Sequence, residues 1–159
     1  MPSSLGQASN WRDKIVCGYQ QRRDTVSGST PYPLAILLCD QIIVDERSKK
    51  KTLVGIFDSI YARQFPVRHR SLSVYVRVTD AEGQYEFRMD YVQVKTDKLL
   101  GTGKILAVPI TDRLKAHELI MEFPPIEIPE AGDYEFRLWA NGRYIGRAKF
   151  AAVEVAKGR

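Results

Sequence analysis

Asp40 and Asp58 are the carboxylates in this chain best placed to act as a pair. If their segments form a hairpin that sets Ile42 opposite Ile56 and Val44 opposite Val54, the two side chains face each other across adjacent strands. Directly opposed like charges cost energy, and burial raises the pKa of at least one, unless a cation, an arginine or backbone donors lie between them. Such an arrangement would be a metal site or an acid/base pair. A shifted or bulged register instead separates the aspartates and leaves each on nearby backbone N–H groups. The second arrangement is favoured, because glycosidase-type chemistry also needs a substrate cleft and no feature of the chain signals one.

The other chemistry-bearing residues read as structural. His69 and His117 have no further His, Cys or carboxylate at ligand spacing and are expected as surface loop histidines. No GxSxG elbow surrounds any serine. The GTGK of Gly101 to Lys104 lacks the first glycine of a phosphate loop. Ile105 stands where Ser or Thr is needed and no helix follows, so a strand with flexible glycines is expected there. Cys17 and Cys39 have no spacing that makes a zinc site, and two reduced thiols are expected. No catalytic residue, metal or cofactor is predicted.

Two basic clusters, Arg47 with Lys49, Lys50 and Lys51, and Arg63 with Arg68 and Arg70, sit in turns. They read as solvated charge that discourages edge-to-edge sheet association; the functional alternative is weak, salt-dependent binding to phosphate backbones. Trp139 with Arg137 and Arg143 forms an aromatic and cationic patch on an outer face. It is the first choice for a partner surface, since Trp and Arg are enriched at interface hot spots.

The elements that must position these residues are strands. Gly132 to Phe150 is two alternating runs around Asn141-Gly142, a β-hairpin. A three-residue loop Ala140-Asn141-Gly142, with Gly142 in a left-handed bulge position, pairs Phe136 with Gly146, Leu138 with Tyr144 and Tyr134 with Ala148. It also sets Glu135 against Arg147 and Trp139 against Arg143. Tyr134, just after the turn at Gly132, is a structural residue that resembles the tyrosine corner of immunoglobulin-type folds; an ordinary turn followed by a core tyrosine is the alternative. Leu72, Val74, Val76 and Val78 alternate with polar residues, and after Asp80 to Gly83 the pattern returns in Tyr85, Phe87, Met89 and Tyr91. A hairpin here would pair Val78 with Tyr85, Val76 with Phe87 and Arg77 with Glu86. Further strands are expected over 34–44, 52–61, 99–110 and 117–123. The sum is an all-β fold, an immunoglobulin-like two-sheet sandwich of about eight antiparallel strands.

Residues 1–32 are polar and end in a Ser/Gly/Pro-rich run, so they read as a disordered N-terminal leader or as sequence upstream of the true start. A short helix over 11–23 presents too narrow an apolar face to dock. The sandwich domain is expected over 33–156, with a tail at 157–159. No apolar run is long enough to span a membrane and no signal peptide opens the chain, which implies a cytoplasmic protein. The net charge is +5; four basic and two acidic groups in the first 33 residues supply +2 of it, leaving a domain too mildly basic to imply nucleic acid.

The segments LLCDQIIVDE (37–46), KKTLVGIFDSIYA (50–62), Phe65-Pro66 and SVYVRVTDAEGQYEF (73–87) resemble a family of small uncharacterised bacterial proteins of unknown function. The resemblance covers residues 34–155. It implies an immunoglobulin-like fold and a bacterial, cytosolic setting, and it carries no activity and no catalytic residue. The expectation is a non-catalytic protein-interaction or structural module with an unidentified protein partner. The alternatives are the basic turns binding phosphate backbones and a metal-dependent site at Asp40 and Asp58.

Overall fold

A computed structural model describes residues 28–156, which form eleven strands and no helix. Residues 1–27 of the expected leader, with Cys17 and the short helix considered over 11–23, and the expected tail at 157–159 lie outside the described residues. In chain order the strands are β1 (Tyr32–Val44), β2 (Lys51–Ile56), β3 (Ser59–Ala62), β4 (Val67–His69), β5 (Leu72–Thr79), β6 (Gly83–Gln93), β7 (Lys98–Ile110), β8 (His117–Phe123), β9 (Ile126–Ile128), β10 (Gly132–Ala140) and β11 (Arg143–Glu154). One sheet runs β2-β1-β5-β8, a second runs β3-β11-β10-β6-β7, and β4 pairs β9 in a small third sheet.

The count exceeds eight for two reasons. The run 52–61 is not one strand: β2 pairs with β1, the chain crosses at Phe57-Asp58, and β3 joins the other sheet beside β11. The short β4 and β9 carry too few residues for a period to show. The two larger sheets share one apolar core, with Leu38, Val74, Val76, Val78, Leu119 and Met121 from one side. Tyr85, Phe87, Met89, Tyr91, Tyr134, Phe136, Leu138 and Phe150 come from the other.

The expected β5–β6 hairpin does not form. β5 pairs with β1 and β8, while β6 pairs with β10 and β7, so the chain between them arches from one sheet to the other. Asp80 takes φ 56° in that arch. The Tyr85 hydroxyl closes it, donating to the Ser29 carbonyl at 2.6 Å and accepting from the Glu82 N–H at 3.0 Å. Two alternating strands with apolar faces are equally content side by side or face to face across a core, and only the long-range pairings decide. Arg77 therefore meets Glu118 of β8 rather than Glu86. Ser29 and buried Pro31, inside the predicted leader, pack onto the domain.

The terminal hairpin departs from expectation in its loop. Ala140 pairs directly with Arg143, so the turn is the two residues Asn141 and Gly142, at φ 48° and 76°. Both positive values mark the tight turn whose twist suits a hairpin. An extra residue then enters β11, because Trp139 faces Tyr144 while Leu138 faces Gly146. That bulge restores the pairing of apolar with apolar, Phe136 with Ala148 and Tyr134 with Phe150. The predicted parity is right and the route to it is different. Asn141 explains the choice: its backbone N–H donates to the Glu86 carbonyl at 2.9 Å, its Oδ1 accepts from the Glu86 N–H at 2.8 Å, and its Nδ2 donates to the Gln84 carbonyl at 3.0 Å. A three-residue loop would forfeit that grip on β6. Tyr134 has the tyrosine-corner geometry, its hydroxyl donating to the Glu130 carbonyl at 2.8 Å.

A second, small apolar cluster of Cys39, Ile42 and Tyr75 with Leu53 and Ile120 lies on the outside of the four-stranded sheet. Beside it the Glu118 carboxylate accepts from both Lys51 Nζ and the Tyr75 hydroxyl. These two bonds hold the Glu118 pKa below the usual carboxylate range, and burial together with Glu118 pushes Tyr75 up to about 12. A depressed carboxylate stabilises the fold above its unfolded pKa, about 4.3, and loses that contribution as pH falls through the folded value. Glu118→Gln should therefore flatten the acid limb of a stability-versus-pH curve below about pH 4.5, read by urea melts at successive pH values.

Candidate interaction surface

The Asp40/Asp58 pair does not exist. β1 and β2 pair Cys39 with Ile56 and Gln41 with Val54, which puts Asp40 level with Gly55 and carries Asp58 beyond the hairpin. The register is displaced by three residues from the one that would oppose the carboxylates. Gly55 is the physical cause. It takes φ 66°, and a Cβ there would lie 2.3 Å from Asp40 Oδ2, so the Asp40 side chain folds over it. Across this irregular step Cys39 and Ile42, three apart rather than two, reach the same cluster. Gly55→Ala should cost about 2 kcal/mol, from the left-handed backbone and the displaced carboxylate, measured by chemical denaturation. Asp58 accepts a bond from Ser59 Oγ at 3.2 Å, and its carbonyl takes the Ala151 N–H at 2.9 Å.

His69 is not a free surface histidine. Its Nε2 is buried 3.5 Å from Asp40 Oδ1 with no hydrogen bond between them, and its ring meets Phe57 edge-on at 5.4 Å. His117 Nε2 lies 3.1 Å from the Asp112 carbonyl. Among the described residues no three His, Cys, Asp or Glu side chains gather as metal ligands. Cys39 is a free, buried thiol whose pKa is raised by burial and then by Asp40. The GTGK run is part of β7, an edge strand. Lys51 is taken by Glu118, whereas Arg47, Lys49, Arg63, Arg68 and Arg70 are exposed.

The outer face of the five-stranded sheet gathers a cluster of charged side chains. Glu135, at the centre of β10, is only 2% exposed. Arg137 Nε and Arg147 Nη1 each lie 2.9 Å from its carboxylate, and Lys149 Nζ lies at 3.6 Å. Arg137 reaches on to Asp97 Oδ1 at 2.7 Å, and both acids raise its pKa. In β6 next door, Asp90 accepts from Thr102 at 2.8 Å and pairs with Arg88 at 3.1 Å. Alternation in β10 and β6 puts Glu135, Arg137 and Trp139 beside Asp90 and Arg88 on one surface.

Of the three predicted patch residues, the structure joins two. Arg137 and Trp139 share the outer face, but Arg143 pairs with Ala140, whose side chain points into the core, and instead bonds Thr30 at 3.2 Å. The expected Trp139–Arg143 contact is replaced by Arg88, whose guanidinium carbon sits 4.7 Å from the indole centroid, and by Tyr144, edge-on at 5.6 Å. The two-residue turn made this exchange, because it sets Trp139 level with Tyr144 rather than Arg143. Arg88 could have been added only if the β6–β10 pairing had been known, whereas Glu135, already set against Arg147 by alternation in β10, does meet that arginine.

A family model described as a family of unknown function, DUF6941, matches residues 34–153. The chain belongs to this family. The DUF6941 match begins within β1 and ends within β11, so it takes in both larger sheets and the outer face just described. No curated protein matches the chain. Among solved structures it is similar to a Pseudomonas fluorescens alkylpurine DNA glycosylase, AlkC, bound to DNA containing an abasic site analog, at 13% identity and a TM-score of 0.41. That match covers 74% of this chain and 30% of the glycosylase chain, and a likeness so loose carries no argument. Among the described residues no helix is long and apolar enough to cross a membrane.

Proposed function

We propose that this DUF6941 chain is an immunoglobulin-like sandwich that works as a non-catalytic protein-interaction module in a bacterial cytosol, with Arg137 and Trp139 on its recognition face. The tyrosine-corner geometry of Tyr134 supports the immunoglobulin-like reading. The observation that carries the interaction reading is the state of Trp139. Its ring is half-buried on an outer sheet face and held between the Arg88 guanidinium and the Tyr144 ring. An aromatic side chain already fixed in one position loses little freedom on binding, which is the property of an interface anchor.

Affinity capture from native lysate with the wild-type and Trp139→Ala proteins tests it. The variant should lose the partner that the wild type recovers. Its melting temperature should fall by no more than about 5 °C, the effect of one cation–π contact and partial burial. Equal recovery by both proteins contradicts the proposal.

A further inference from the structure

On one side of the molecule both larger sheets end in a half-bare strand. β2 covers β1 only from Cys39 onward, and β3 covers β11 only from Ala151 onward. The first half of β1 and the first half of β11 therefore have no strand on that side among the described residues. The cause is the crossing at Phe57-Asp58: one run serves both sheets, so each receives only part of a strand. The two bare stretches touch at Gly146, where a Cβ would lie 2.9 Å from Ile36 Cδ1, and separate on either side. A cavity of about 330 Å³ opens between Ile36 to Leu38, Ile56 to Asp58 and Ala148-Lys149. A shallower one lies between Pro31 to Pro33 and Tyr144-Ile145.

The direction of the backbone is fixed by the strand that is present. Ala151 N–H donates to Asp58 O and Val155 N–H to Ala62 O, both toward β3. By the two-residue period, the N–H and C=O groups of Lys149 and Arg147 point the same way, into the stretch that β3 does not reach. The side chains of those residues stand on the outer face at 58% and 47% exposure, sharing a single buried carboxylate with Arg137. Arg137 is offset by Asp97, so Arg147 and Lys149 outnumber the one carboxylate they share and leave the outer rim of the bare edge positive, with Asp58 at the Ala151 end of the cavity.

We infer that the open edge of β11 between Gly146 and Phe150 takes an extended acidic segment of a partner protein as an added strand. Its backbone continues the ladder at Arg147 and Lys149. Its acidic side chains, at alternate positions, meet the Arg147 and Lys149 side chains, and the intervening apolar ones face the cavity beside Ile36 and Ala148. This is strand addition: main-chain bonds supply affinity and alternate side chains supply selection. The edge adjoins the Arg137 end of the proposed recognition face through Glu135 but does not use Trp139, so loss of one on Trp139→Ala and of the other on N-methylation are distinguishable.

Fluorescence anisotropy with the full chain tests it, using a labelled octapeptide alternating Glu and Val as the probe. The controls are a Lys/Val octapeptide and a Glu/Val octapeptide N-methylated at every second residue. The Glu/Val probe should bind at least about tenfold more tightly than either control, and Lys149→Gln with Arg147→Gln should weaken it about tenfold, the loss of roughly one charged contact pair. Backbone amide resonances of Arg147 and Lys149 should shift on titration. The N-methylated peptide leaves the protein untouched, so a variant that folds poorly does not remove the test. Equal binding of the three peptides, no binding, or shifts confined to the Arg47–Lys51 turn would overturn the inference. So would concentration-dependent shifts of the Arg147 and Lys149 amides without peptide, which would give the edge to a second copy of the chain.

Discussion

Phe136→Ala is expected to lower the unfolding free energy by about 4 kcal/mol, in the range for deleting a buried aromatic ring. Phe136 is fully buried and sits where the two sheets meet. Its ring stacks on Tyr91 at 5.0 Å, meets Phe123 of β8 edge-on at 5.1 Å and lies 6.2 Å from Phe150. The aromatic neighbours are rigid and interlocked through Tyr91–Phe150 and Tyr134–Phe150 contacts, so they cannot collapse into the space left behind. Urea denaturation gives the value. A loss below about 1.5 kcal/mol would mean that the site relaxes as a surface position does, and that the shared core is misassigned.

Glu135→Gln is expected to cost about 3 kcal/mol, although Glu135 lies on the outer face of a sheet. The amide keeps the shape and removes the charge, which leaves Arg137, Arg147 and Lys149 around a neutral group. Arg147 and Lys149 are half in water, so their mutual repulsion is screened and most of the loss falls on the Arg137 side. Salt distinguishes this from a packing defect. Raising ionic strength should narrow the gap between variant and wild type, because screening relieves the unbalanced cations. A gap that is small, or that does not respond to salt, contradicts the electrostatic role given to Glu135.

The local patterns in this chain were readable and the long-range ones were not. The alternation of Val74, Val76 and Val78, and of Tyr85, Phe87 and Met89, assigns the strands and their core faces correctly. The same alternation cannot distinguish a hairpin from an arch, and the arch at Asp80 decides that Arg77 meets Glu118. The hairpin at Asn141 showed the right faces, because parity is a local property. Its loop length depends on a grip by Asn141 on Gln84 and Glu86, more than fifty residues away. Residues 52–61 looked like one strand because a sheet-crossing at Phe57-Asp58 leaves the apolar content unchanged.

At the candidate surface, Arg137 and Trp139 were visible because β10 alternates cleanly. Arg88, Asp90 and Asp97 were hidden, since they reach the same face only through the β6–β10 pairing and the turn after β6. Gly55 carried the signal that separates Asp40 from Asp58. A glycine within a β-branched and apolar run marks a strained backbone step or a close approach, and here it is both.

Residue-resolved hydrogen exchange on the full chain addresses the arrangement of the two sheets, and of the bare edge they leave, more directly than any mutation. The amides of Ala148 and Phe150, turned toward β10, and that of Ala151, bonded to Asp58, should be protected, while those of Arg147 and Lys149 between them exchange orders of magnitude faster. Uniform protection from Arg147 through Ala151 would mean that a strand already covers this edge, and would contradict the account.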